Sequence, residues 1–218
     1  MTPLTVADLA AVVYSSGKVF DGLTTGRLDT ENFLRSGSLT GIASRADLAL
    51  LEDLRDAAQF AIDHAGRPID SSFVQALNAT ITRSGALHPG QLRTQQQQIG
   101  VSTPYGRHTP DALTEPGLQA VLDAATGGGD VQENALALFM GLAKAQPFED
   151  ANKRTAVFAA NSLLIGHSIG VLLTIPVDVA RTFNDLLARA YIYDEQDEVK
   201  ALLRSRGFAR IGQSPTDS

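Results

Sequence analysis

Apolar residues return every three or four positions along most of this chain, and the polar residues that interrupt them mark where helices begin and end. Leu51, Leu54, Ala58 and Ala61 are spaced three, four and three, with Ser44 ahead of them and Asp47 three residues after it, the pattern of a capping box. Asp70 heads a second helix carrying Phe73, Leu77 and Ile81. Gly127-Gly128-Gly129 breaks the chain, Asp130 and Glu133 form another cap, and Val131, Ala135, Leu138 and Leu142 fall on one face of the clearest helix. A further helix carries Ala156, Ala159, Leu163 and Leu164 and stops near Gly166. Val179, Phe183, Leu186 and Ala190 mark a later amphipathic helix, and Glu195 to Arg206 a last one. The pattern predicts an all-α core over residues 45–206. A helical extension precedes it over 1–44, and a flexible tail of small polar residues follows over 207–218.

Between Ser84 and Pro110 the periodicity fails. Gly, Pro, Thr, Ser and the run Gln95–Gln98 replace it, and Arg93 to Val101 reads as a short strand pair, a flap across the helices. Composition narrows the partners. A net charge of −6 opposes a general nucleic-acid or anionic-membrane surface. No cysteine is present, which excludes disulfides, a thiolate nucleophile and sulfur-ligated metal. No apolar run approaches the roughly 20 residues that span a bilayer. Met1-Thr2-Pro3-Leu4 opens no basic-then-apolar leader, so a cytoplasmic location is expected.

The chemistry concentrates at Gln146–Ala156, between two helical runs. If Asn152 begins a helix, the amides around Asp150, Ala151, Asn152 and Lys153 converge at an end where backbone N–H groups lack partners and the dipole is positive. That is an anion-binding nest. Arg154 lies in the first turn and can grip a phosphate with two parallel bonds. Lys153 adds a point charge, and Asp150 or Glu149 can hold a magnesium ion, a hard cation that takes carboxylate oxygen.

These residues carry a resemblance. Gln146–Ala156 resembles the signature of the Fic/Doc (Fido) family, His-x-Phe-x-Asp/Glu-Gly/Ala-Asn-Gly/Lys-Arg, and matches it at Phe148, Asp150, Ala151, Asn152, Lys153 and Arg154. Pro89–Thr94 through Ile99-Gly100 is similar to the family's flap segment, with Arg93, Thr94, Ile99 and Gly100 as the flap residues. The resemblance implies a helical bundle with a short β-hairpin flap that aligns a target's backbone. It implies a magnesium nucleotide (ATP or another) as cofactor, and transfer of AMP or, in Doc-like members, of a phosphoryl group to a hydroxyl of a target protein. An antitoxin or a second copy of the chain is a further implied partner; nucleic acid and membrane are not.

Three departures bear on that reading. Gln146 stands where the family has the histidine that takes the proton from the attacking hydroxyl, a general-base role that contributes about 10²–10⁴-fold; an amide cannot act as such a base near neutral pH. Lys153 and Val157 replace the usual glycine and second arginine, the lysine being Doc-like. Ser36–Ile42 resembles the family's inhibitory helix motif, with Thr40 where its glutamate would stand, which implies no built-in brake. Two functions follow as expectations: an impaired nucleotidyl- or phosphotransferase, or a catalytically inactive nucleotide- or protein-binding module, including a toxin–antitoxin component.

Overall fold

The computed structural model describes residues 3–85 and 87–211. After a 3-10 turn (Val6–Leu9), its helices are α1 (Ala10–Phe20), α2 (Arg27–Ser36), α3 (Arg45–Asp63) and α4 (Ser71–Asn78). A hairpin of β1 (Val101–Thr103) and β2 (Gly106–His108) leads to α5 (Glu115–Thr126), α6 (Val131–Ala145) and α7 (Asn152–Gly166). Then come β3 (Val171–Leu173), α8 (Ala180–Tyr193), α9 (Asp197–Arg206) and β4 (Phe208–Arg210). The fold is all-α, with two small antiparallel sheets.

α7 has no polar face. Of its residues from Asn152 to Leu164, only Lys153 and Leu163 are not fully buried. A helix covered on all sides lies inside a bundle, and Ala156, Ala159, Ala160 and Ser162 are small enough to let neighbours close on it. α6 runs along it, α5 backs α6, and α1, α3, α4 and β3 complete the shell. The N-terminus of α7 is thereby aimed by five packed elements.

The capping residues read from the sequence cap as expected. Ser44, Asp70 and Asp130 accept from the amides of Asp47 (3.0 Å), Phe73 (2.8 Å) and Glu133 (2.9 Å). The reciprocal half of the expected capping boxes is not made. The Asp47 carboxylate accepts instead from Thr24 and Thr25, and Glu133 pairs with Arg204. Both acids found tertiary donors.

Three boundaries differ from the sequence reading. Residues 3–44, the described part of the expected 1–44 extension, share one apolar cluster with the rest of the described chain: Leu9, Val12, Val13 and Leu23 are fully buried in it. The hairpin lies at 101–108, with Val101 opposite His108 and Thr103 opposite Gly106, not at 93–101. Gly106 makes its turn at φ +129°, a dihedral that favours glycine. The glutamines ahead of it close on backbone instead of lining a strand: Gln97 Oε1 accepts from Thr94 N at 2.7 Å, and Gln95 Nε2 donates to the Ala112 carbonyl. The third boundary is the tail. Phe208–Arg210 pairs with β3, Leu173 opposite Phe208, because this edge of β3 offers unpaired backbone groups and Phe208 packs on the core. Residues 212–218 of the expected tail lie outside those described. Among the described residues no helix is long and apolar enough to cross a membrane.

Candidate functional site

α6 ends in a left-handed residue, Gln146 at φ 48°, whose N–H closes on the Leu142 carbonyl. A second left-handed residue, Ala151 at φ 61°, precedes α7. Non-glycine residues occupy this region at a cost, and such strain gathers at functional sites. The five residues from Gln146 to Asp150 are therefore a fixed corner between two helices, and three side chains hold it. Asn152 Oδ1 accepts from Phe148 N and its Nδ2 donates to the Phe148 carbonyl, both at 2.9 Å. Buried Arg93 donates through Nε to the Gln146 carbonyl at 2.6 Å and through Nη2 to those of Pro110 and Asp111. Asn78, from the end of α4, donates to the Asp150 carbonyl and to Thr155 Oγ1.

The corner opens on a cleft of about 240 Å³. Asp150, Ala151, Asn152, Lys153 and Arg154 line one side, Ile99, Gly100 and Val101 of the flap another, and Phe20 and Asp21 from the end of α1 the third. No side chain caps α7. The Ala151 amide donates to its neighbour Asp150 at 2.6 Å, so the nest expected around Asp150–Lys153 has one donor already engaged. The Asn152 amide side chain is likewise engaged inside the corner, and what this residue can offer a ligand is its main-chain N–H.

Arg154 is 2% exposed. Its Nη1 donates to Ser84 Oγ at 2.8 Å and its Nη2 to the Ser84 carbonyl at 3.2 Å. Two carboxylates stand on its other side, Asp21 and Asp150, each 3.5 Å away. Burial pushes the Asp21 carboxyl above its ordinary value, with Arg154 and Lys153 pulling the other way. Burial lowers the Lys153 ammonium, while Asp21 opposes that shift. The Lys153 ammonium sits 4.9 Å from the centre of the Phe20 ring, a cation–π distance.

At Gln146 the side chain is tied at both ends. Nε2 donates to the Ala143 carbonyl at 2.6 Å, and Oε1 accepts from Asn152 Nδ2 at 3.2 Å. Neither histidine beside the flap segment lines the cleft. His88 Nδ1 lies 3.3 Å from Glu149 Oε2 at the rim, and His108 Nε2 is 2.7 Å from the Lys144 carbonyl oxygen. Of the flap residues, Ile99 and Gly100 reach the cleft, Arg93 braces the corner from behind, and Thr94 turns back on Gln97. Ser36–Ile42 contributes nothing to the lining; an acid does arrive, but from α1, as Asp21. Sequence reading missed Asp21, Asn78 and Ser84. Asp21 and Asn78 are single polar residues at helix ends and Ser84 lies in the loop after α4, with no spacing that relates any of them to Arg154.

A second cleft of about 230 Å³ adjoins the first and shares Val101 and Lys153 with it. Leu187, Ala188 and Val19 give it an apolar wall, and Asn184 and Tyr191 give it polar groups. The Tyr191 hydroxyl is buried without a hydrogen-bond partner among the described residues.

The central helix of the bundle thus begins uncapped in a cleft, beside an arginine and a carboxylate. Residues 68–164 match the family model described as Fic/DOC family. The fold is that of solved Fic-domain structures. One is a Fic-domain-containing signaling protein from Bacteroides thetaiotaomicron, at 21% identity over 93% of this chain and 84% of that one, TM-score 0.68. Another is Fic-1 from C. elegans, at 17% identity over 90% of this chain, TM-score 0.66; the chain spans 62% of that structure's length. No curated protein matches the chain.

Proposed function

We propose that this chain binds a magnesium nucleotide across the two adjoining clefts, and that transfer of AMP or a phosphoryl group to a protein hydroxyl is impaired at Gln146. The observation that carries the reading is the uncapped start of α7 opening beside Arg154 and Asp150 in one cleft. Free amides, helix dipole and guanidinium there favour the same charge. The second cleft suits the nucleoside: an apolar wall for a base, with Asn184 to meet its edge.

Asp150 fits the metal. Its carboxylate is exposed and lines the cleft, 3.5 Å from the Arg154 guanidinium. Magnesium binds in this way, through one or two carboxylates with phosphates and water completing its shell. When bound, the ion neutralises phosphate charge. The chain's own residues do the rest. Arg154 exchanges its contact with Asp21 for phosphate oxygen, and the flap residues Ile99–Val101 cover the cleft. Gln146 orients by hydrogen bonding and takes up no proton, which leaves the attacking hydroxyl without a base.

Calorimetric titration with magnesium ATP, ADP and GTP tests the binding; no heat with any of them defeats it. Labelled nucleotide with a cell lysate tests the chemistry. Gln146→His is expected to raise labelling of protein by about 10²–10⁴-fold over the parent chain, and an unlabelled lysate with both chains removes transferase competence from the reading.

A further inference from the structure

Asp53, on α3, is fully buried and lies outside the cleft. A carboxylate carried into an interior needs a full set of donors, and the segment after α4 supplies them. Asp53 accepts from the amides of Thr82, Arg83 and Ser84 at 2.7–3.1 Å, from the Arg83 guanidinium at 3.0 Å and from the Ser84 hydroxyl at 2.7 Å. Residues 82–84 are thereby wrapped around one side chain.

The last of them faces Arg154. A serine hydroxyl has one proton, and here it points at Asp53, so the lone pairs of Oγ face the Arg154 Nη1. Carboxylate, hydroxyl and guanidinium form a chain polarised in one direction, in which each bond strengthens the next. With the Ser84 carbonyl on Nη2, this gives the guanidinium two acceptors on a fixed edge. Its carboxylate neighbours Asp21 and Asp150 are 3.5 Å away and lie at the cleft, where a ligand can displace them.

We infer that Asp53 is a positioning residue for the phosphate cleft: acting through Ser84, it fixes the plane of the Arg154 guanidinium so that its other edge, Nε and Nη2, meets phosphate. The inference rests on the nucleotide reading for its ligand and on the Asp53–Ser84–Arg154 chain for its geometry. It is tested by a double-mutant cycle in magnesium ATP titrations. Ser84→Ala weakens binding by about tenfold, the effect of losing one hydrogen bond to a charged group, and Asp53→Asn acts in the same direction. In an Arg154→Ala background Ser84→Ala has no further effect; with Arg154 present, Ser84→Thr, which keeps the hydroxyl, retains the parent affinity. An equal loss in both backgrounds, or none with Arg154 present, overturns the proposal.

A ligand-free measurement separates this claim from the nucleotide reading and needs only the Ser84 variant, should Asp53→Asn fail to fold. Nitrogen-15 NMR of the Arg154 side chain is expected to show slow guanidinium rotation in the parent and fast rotation in Ser84→Ala. If the parent binds no nucleotide yet this change occurs, the positioning stands and the ligand is wrong. Equal rotation in both chains sinks the positioning itself.

Discussion

At the scale of single residues, Lys153 shows burial and charge in opposition. It lines both clefts, and covering its ammonium lowers its proton affinity more than Asp21 raises it. The sign of the pH effect follows. A base whose folded pKa lies below its ordinary 10.5 binds its proton less well in the fold, so it costs stability when charged and that cost vanishes as pH rises toward the ordinary value. Lys153→Met is therefore expected to be more stable than the parent near neutral pH, the difference closing as pH approaches 10.5, as read by denaturant midpoints across that range. A gap that stays constant with pH contradicts this account. Residue identity here was legible in the sequence; its burial over the Phe20 ring was not, because Phe20 comes from a distant helix.

At the scale of elements, α4 places Asn78 under the corner, and its start depends on Asp70. The Ser72 hydroxyl and the Phe73 amide both donate to that carboxylate and hold its pKa below 3.8. A depressed acid contributes stability above its ordinary value and loses it as pH falls. Asp70→Ala is expected to cost about 1 kcal/mol at pH 7, and the cost should shrink below pH 3.8, the sign opposite to Lys153. At its other end α7 meets the loop after α3. A Cβ at Gly166 would lie 2.4 Å from the Gly66 backbone nitrogen, a contact that rotamer changes cannot relieve. Gly166→Ala should destabilise by about 1–3 kcal/mol, measurable as a melting point lowered by several degrees. Caps and helix faces were readable from spacing because both are local. The hairpin register was not, because turn chemistry at Gly106 and the Gln95 and Gln97 backbone contacts, rather than strand propensity, decide where the strands start.

At the scale of the whole molecule, the segment 3–44 is structural and also borders the site. Leu9, Val12, Val13 and Leu23 are fully buried, each contributing about 1.5–3 kcal/mol through burial. Phe20 and Asp21 form one wall of the first cleft. A chain beginning at residue 45 is expected to lose cooperative thermal unfolding by circular dichroism; a sharp transition from it would show that the extension is dispensable. α3 ties the N-terminal segment and the loop after α4 to the bundle through Asp47 on Thr24 and Thr25 and Asp53 on residues 82–84. The sequence alone determined the helical class, most helix starts and the corner before α7, because apolar period, cap residues and a contiguous motif act over a few positions. Only the tertiary structure decided that Gln146 is tied at both ends, that Asp21 faces Arg154 and that the clefts adjoin. The last two outcomes come from packing elements remote in sequence around α7, where burial selects the partners; the first comes from the left-handed turn that sets Gln146 between Ala143 and Asn152.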